Sequence, residues 1–505
     1  MKNLNGIKSI MLGGLMFSVL FSCQKEELEI DMSDPILHSQ NYSKSSSSEM
    51  TKLGKKLENP YSVENMKNAW ESLKNKVKIT KNIEIKTTHY YVKFKPKTEE
   101  ELNILRKDES LILYDIPLDY EIIEQGDFYH DPEIPTDQPT YQYASIPVEN
   151  KLPEKIHFEI LEKLFIPDED SETNPSNSDG TVELLVDESL KLTDNLGDEK
   201  NEKAKFFTKL PKWRPQGNII IWDDNLQRYV PLAGLKVRAR RWFITYSGYT
   251  NGNGFFSCNG RFRRPANYSF KWQKYDFEIR RQPLSIAKFN GPYIRGDWNV
   301  NIRNGEQEFW GTIYRAAFHY YYGNIKGLRR PPLNGVFNIK MKIRAIYQNN
   351  NSINGLHCVS CKYLGLGSQV KIFNPQKDSQ DIYATTIHEL AHASHWAMDS
   401  FGYTVLPTVM IESWASGIQW ELTRMVYPNY TPHYIKGSYT GIVQDMIDPI
   451  QQPYDKVAGY TIRQLEDAIN GQTTWRGWRD AIINSYNNPY ELNLHNYQFL
   501  YWKFY

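Results

Sequence analysis

Two histidines four positions apart enclose a glutamate in the run Thr385-Thr386-Ile387-His388-Glu389-Leu390-Ala391-His392-Ala393. On a helix, residues four apart share a face, so His388 and His392 can offer ring nitrogens to one ion. H-E-x-x-H is a zinc-binding spacing whose enclosed glutamate serves as general base. Zinc brings a bound water close to neutral pKa, and the Glu389 carboxylate can then take its proton. The run holds no other charged side chain, as expected of a helix beneath a cleft, and Asp381 near its start complements the helix dipole. The competing reading is a pair of helix histidines packed on Trp396 or Tyr383.

A peptidase site of this kind needs a third ligand. Glu412, in Ile411-Glu412-Ser413-Trp414, follows His392 after 19 intervening residues, room for a turn and a second, antiparallel helix. Two histidines with a glutamate at that distance resemble the thermolysin-like gluzincins, over about 30 residues. The resemblance implies a zinc metallopeptidase in which His388, His392 and Glu412 bind Zn2+ and Glu389 is catalytic. In that family an aspartate four residues beyond the third ligand orients the first histidine. Ser416 stands there in this chain, and Asp381 and Asp399 are the candidates to replace it. His395, three residues past His392, is read as a supporting or structural residue. The metzincin pattern is excluded, because Met398 occupies the place of its third histidine.

Hydrolysis also calls for a donor to the developing oxyanion. Tyr439 is preferred because Gly437 and Ser438 could turn it into a cleft. His433, Tyr434, Tyr460 and His495 are alternatives, although among 34 tyrosines each one alone reads as structural.

The amino terminus points outside the cell. Lys2 and Lys8 make a positive region ahead of an apolar run at 10–21, too short to span a membrane as a helix, which ends in Leu20-Phe21-Ser22-Cys23. That ending resembles the lipobox of bacterial lipoproteins, which implies diacylation of Cys23; a plain signal peptide is the alternative. Gln24-Lys25-Glu26-Glu27 resembles the acidic tag of Bacteroidetes lipoproteins displayed on the outer membrane. The expectation is a cell-surface outer-membrane lipoprotein that meets the membrane through its lipid alone. With 60 basic and 59 acidic residues, the chain has no net pull toward nucleic acid. Cys358 and Cys361, in Cys358-Val359-Ser360-Cys361, favour a local disulfide. A zinc knuckle needs a second such pair, and Cys258 stands alone.

The elements that must position these groups read as a multidomain α+β chain. Residues 1–22 are a lipoprotein signal peptide and 23–80 a flexible tether with an unbroken serine run at 45–48. Residues 81–165 form a small α/β strand-helix-strand module, with strands at 90–94 and 111–114 around a helix at 99–106. An acidic linker covers 166–210. Residues 211–282 alternate like strands around Pro231-Leu232-Ala233-Gly234-Leu235-Lys236-Val237 and a turn at Asn251-Gly252-Asn253-Gly254. They resemble the transthyretin-like (carboxypeptidase regulatory-like) β-sandwich, which implies a spacer or a docking surface for a glycan or protein. Residues 283–505 read as a mainly α-helical zincin-like domain, with helices at 380–399, 409–426, 461–470 and 475–487. Strands are expected in it near 309–320 and 336–347.

The function expected is hydrolysis of extracellular peptides or proteins. The alternative is a surface binding module that keeps a metallopeptidase fold without turnover. A glycan-binding lipoprotein using stacked aromatics is a third reading.

Overall fold

The computed structural model describes residues 50–76, 83–167, 181–196, 211–335, 339–349, 353–359, 361, 369–432, 439–450 and 455–494. The leader, Cys23, the serine run, residues 433–438 and His495 lie outside the described residues. Helices and sheets mix throughout, an α+β architecture.

His89–Phe94 is the central strand of a three-stranded antiparallel sheet, between Gln142–Pro147 and Phe158–Leu164. The helix Glu99–Lys107 starts at Thr98, whose hydroxyl accepts the Glu101 amide, and three glutamates favour its first turn. Residues 111–113, expected as a strand, belong to no sheet, and only Tyr114 bridges to Tyr143. Two stretches read as tether and linker carry regular structure instead. The strand Lys52–Lys56 pairs with Tyr120–Glu124, and the helix Val63–Lys74 packs on the helix Thr181–Leu192. Met66, Ala69, Trp70 and Leu73 face Leu185, Val186 and Leu190 in one buried cluster. These apolar stripes have helical spacing, but the charged residues around them lower the average hydropathy and mask them.

Alternation builds a β-sandwich. One four-stranded sheet joins Phe255–Ser257, Gln216–Asp223 and Val300–Ile302 with Arg228–Pro231, and the other joins Lys288–Ile294, Ala266–Lys271, Lys236–Arg241 and Ile244–Tyr249. Ile219, Ile221, Val237, Ala239, Tyr268 and Phe270 of these strands are buried in one apolar cluster. The expected boundary at 282 is displaced, because Lys288–Ile294 and Val300–Ile302 belong to sandwich sheets. Phe277–Gln282 leaves the sandwich for a different sheet. Period-two alternation marks a strand without naming its partner.

That other sheet has five strands, in the order Ser285–Ile286, Phe277–Gln282, Met341–Ala345, Gln369–Ile372, Gly355–His357. Its middle three are parallel, and Gly355–His357 runs antiparallel at the edge. Phe277, Ile279, Met341, Ile343, Val370 and Ile372 are buried beneath the helices Gly305–Tyr322 and Ser379–Met398. Glu278, Arg280 and Lys342 alternate to the opposite face, where Glu99 and Arg106 of the amino-terminal module meet them. Residues 309–320, expected as a strand, lie in the first of those helices. Phe309, Ile313, Ala316 and Tyr320 recur at helical spacing although their aromatic and branched neighbours favour strands.

The other expected helices are Ser379–Met398, Thr408–Thr423, Ile462–Ile469 and Trp475–Ser485. One apolar cluster runs from Ile219 to Leu494 and joins sandwich, sheet and helices. No helix among the described residues is long and apolar enough to cross a membrane.

Candidate metal centre

The helix Ser379–Met398 is buried on nearly every side from Ile382 to His395. His388 and His392 sit one turn apart with their Nε2 atoms 3.0 Å from each other. The helix Thr408–Thr423 packs against it and delivers Glu412. Glu412 Oε2 lies 3.0 Å from His388 Nε2 and 3.3 Å from His392 Nε2. The three groups form a cluster able to hold a metal ion.

The hydrogen bonds around His388 orient its ring. Tyr430 OH accepts from Gln419 Nε2 at 2.7 Å, which turns the amide oxygen toward His388 Nδ1 at 3.0 Å. An amide oxygen only accepts, so Nδ1 carries the proton and Nε2 keeps its lone pair for the ligand position. Gln419 thus does the work expected of Asp381 or Asp399. Asp399 instead accepts the amides of Gly402 and Gly471, and Asp381 lies 4.0 Å from Lys377 at the far end of the helix. Ser416 is buried in the neighbouring helix.

Lone pairs on two nitrogens and a carboxylate converge here, an arrangement that repels itself unless a cation or a proton intervenes. Burial pushes the His388 pKa down, but Glu412, Glu389 and Gln419 together carry it above the ordinary imidazole value. Burial opposes ionisation of Glu412, yet both histidines hold its carboxyl far below the usual range. The donors suit zinc: tetrahedral ligands at about 2.1 Å stand roughly 3.4 Å apart.

Glu389 is 6% exposed. Burial raises its pKa, with Glu412 adding to the rise and the two histidines and the His357 amide working against it. The edge strand Gly355–His357 passes close over this carboxylate. A Cβ on Gly355 would stand 2.5 Å from Glu389 Oε1, so glycine is what lets the strand approach.

Tyr439, the expected oxyanion donor, has its ring 6.0 Å from that of His388. Its phenol is kept protonated by burial and by the nearby Glu412 and Glu389 carboxylates. Tyr403, on the short helix Ser400–Val405, answers the same description, with its ring 6.2 Å from that of His392. Tyr460 lies near Glu491 instead. The His357 ring stacks parallel to that of His392 at 6.3 Å. His395 is buried with its ring 5.2 Å from that of Tyr403. Cys358 and Cys361 are joined in a disulfide directly after the edge strand, and Cys258 is buried in the sandwich.

Sequence reasoning missed Gln419, Tyr403, His357 and Gly355. Gln419 lies seven residues after Glu412, two turns along the same helix face, a spacing that could have flagged it. The edge-strand residues carry no such signal, because only sheet pairing brings them over the helix. No protein-family profile, curated protein or solved structure matches this chain.

Proposed function

We propose that this chain is a zinc-dependent peptidase that hydrolyses extracellular peptides or proteins. The observation that carries the reading is the convergence of His388, His392 and Glu412 ligand atoms beside the buried Glu389 carboxylate. These three side chains would hold the ion, which supplies Lewis acidity toward a water and a substrate carbonyl. Glu389 takes a proton from the water as its oxygen adds to the carbonyl carbon. It then passes that proton to the nitrogen as the carbon–nitrogen bond breaks. The raised pKa of Glu389 suits both halves of this transfer. Tyr403 and Tyr439 offer O–H donors to the developing oxyanion. The lipobox-like amino terminus supports a place on the outer-membrane surface, and with it an extracellular substrate.

The second reading, a binding module that keeps the metal without turnover, draws on Gln419. A neutral amide makes the imidazole it holds less basic than a carboxylate would. One experiment separates the two: zinc content and cleavage of a peptide library, for the parent chain, His388→Ala/His392→Ala and Glu389→Gln. The peptidase reading expects near one zinc per parent chain, lost in the double variant. It also expects Glu389→Gln to keep zinc while cleavage falls by about 10²–10⁴. Zinc without cleavage leaves the binding module; no zinc after reconstitution removes both.

A further inference from the structure

We propose that the β-sandwich turn at 223–225 is a positioning device for the metal centre and acts on His388 along two routes. The proposal rests on the reading of His388, His392 and Glu412 as zinc ligands.

The first route is the end of the metal-binding helix. A helix leaves its first amides without intrahelical partners. Here the Ser379 amide donates to Asp224 Oδ1 at 2.7 Å and the Gln380 amide to Asn225 Oδ1 at 2.7 Å. Only the Asp381 amide is served locally, by Asp378 at 2.8 Å. Asn225 Nδ2 also donates to Asp378 Oδ2 at 3.2 Å, so turn and helix end interlock. Two of these three acceptors therefore come from a hairpin turn of the sandwich, about 155 residues upstream.

The second route runs through the other ligand helix. Asp223 is fully buried and accepts from Arg315 Nη1 and from Tyr427 OH, each at 2.7 Å. The Tyr427 carbonyl accepts the Tyr430 amide at 2.9 Å in a tight turn. Tyr430 OH holds Gln419, and Gln419 holds His388 Nδ1. A continuous path of hydrogen bonds and backbone thus joins the sandwich to a ligand ring. If Tyr430 shifts, the Gln419 amide is free to rotate and present its NH2 to Nδ1. His388 would then carry its proton on Nε2, the ligand atom. The two routes meet where Arg315 lies over the Tyr383 ring and Tyr383 packs edge-on against Tyr427.

The sandwich is on this account part of the centre's scaffold and not a spacer. The test uses the full chain and reads the zinc Kd by competition with a chelator, together with Tm. Tyr427→Phe removes the hydroxyl but keeps the ring, Asp224→Ala removes the cap acceptor, and Asp224→Asn keeps an acceptor oxygen. Thr474→Ala deletes a comparable cap on a helix away from the centre. The expected result is a zinc Kd weakened on the order of 10-fold in Tyr427→Phe and Asp224→Ala. Asp224→Asn should bind like the parent, and Thr474→Ala should lower Tm without moving Kd. If Tyr427→Phe and Asp224→Ala bind zinc like the parent while Tm falls as in Thr474→Ala, the proposal is overturned and the turn is only structural. A parent that holds no zinc overturns the zinc reading and this proposal with it.

Discussion

Glu389 and His395 lie six residues apart on one helix, and burial drives their proton affinities in opposite directions. It disfavours the charged form of each, so the carboxyl rises and the imidazole falls. His395 is 2% exposed and its pKa is pushed from 6.5 down to about 3, with His392 adding to the fall and Asp399 opposing it. Between those values the unfolded chain binds a proton that the folded chain refuses. Stability from this residue is therefore intact above pH 6.5 and drains as pH falls, by at most roughly 1.4 kcal/mol per unit. His395→Phe should flatten the decline of Tm between pH 6.5 and 4; equal slopes in variant and parent would place the acid sensitivity elsewhere. The two phenols near the ligands separate by kinetics. Replacing the oxyanion donor should lower kcat by about 10²–10³ with KM little changed. Tyr403→Phe is expected to show this and Tyr439→Phe, on the more exposed side chain, to raise KM; the reverse pattern would swap their roles.

At the scale of elements, the short edge strand passes directly against the Glu389 carboxylate. Gly355 faces Glu389 across a gap that a methyl group would close, with all three nearest atoms belonging to that side chain. In Gly355→Ala either the strand or the carboxylate must move, while the three ligands stay untouched. The expected outcome is a variant that holds zinc like the parent and loses most peptide cleavage. Full activity in that variant would mean that Glu389 can swing aside without cost, and would argue against its placement as base.

At the largest scale, the described residues are held together by buried charge as well as apolar surface. Glu99 of the amino-terminal module reaches both Arg280 and Lys342 on the charged face of the five-stranded sheet, and each of those cations is only 3% exposed. Lys288 with Asp115 fastens the same module to the sandwich, and Arg263 with Glu183 and Arg264 with Asp187 fasten the helix Thr181–Leu192 to it. Removing one partner of a buried pair leaves an uncompensated charge, at a cost of about 3–5 kcal/mol. Glu99→Ala should lose stability on that scale in urea unfolding and expose the module to limited proteolysis. An unchanged midpoint would show that the module docks loosely.

The sequence alone determined whatever depends on local spacing. His388, Glu389 and His392 are legible because a helix repeats every 3.6 residues, and the run that bears them is apolar enough to be buried. The carboxy-terminal helices follow from the same period, and the sandwich strands from alternation. Glu412 needed the family resemblance as well, since a gap of 19 residues specifies no geometry by itself. The tertiary structure decided what depends on partners. Burial turned the aromatic stretch at 309–320 into a helix and ordered the helix Thr181–Leu192 inside an acidic segment. Strand pairing set Gly355 and His357 over Glu389, and side-chain packing put Gln419 where an aspartate was expected. Asp224 and Asn225 reach the helix Ser379–Met398 from about 155 residues away. Contacts between residues so far apart are settled by how sheets pair and cores close, and no local pattern in the chain records them.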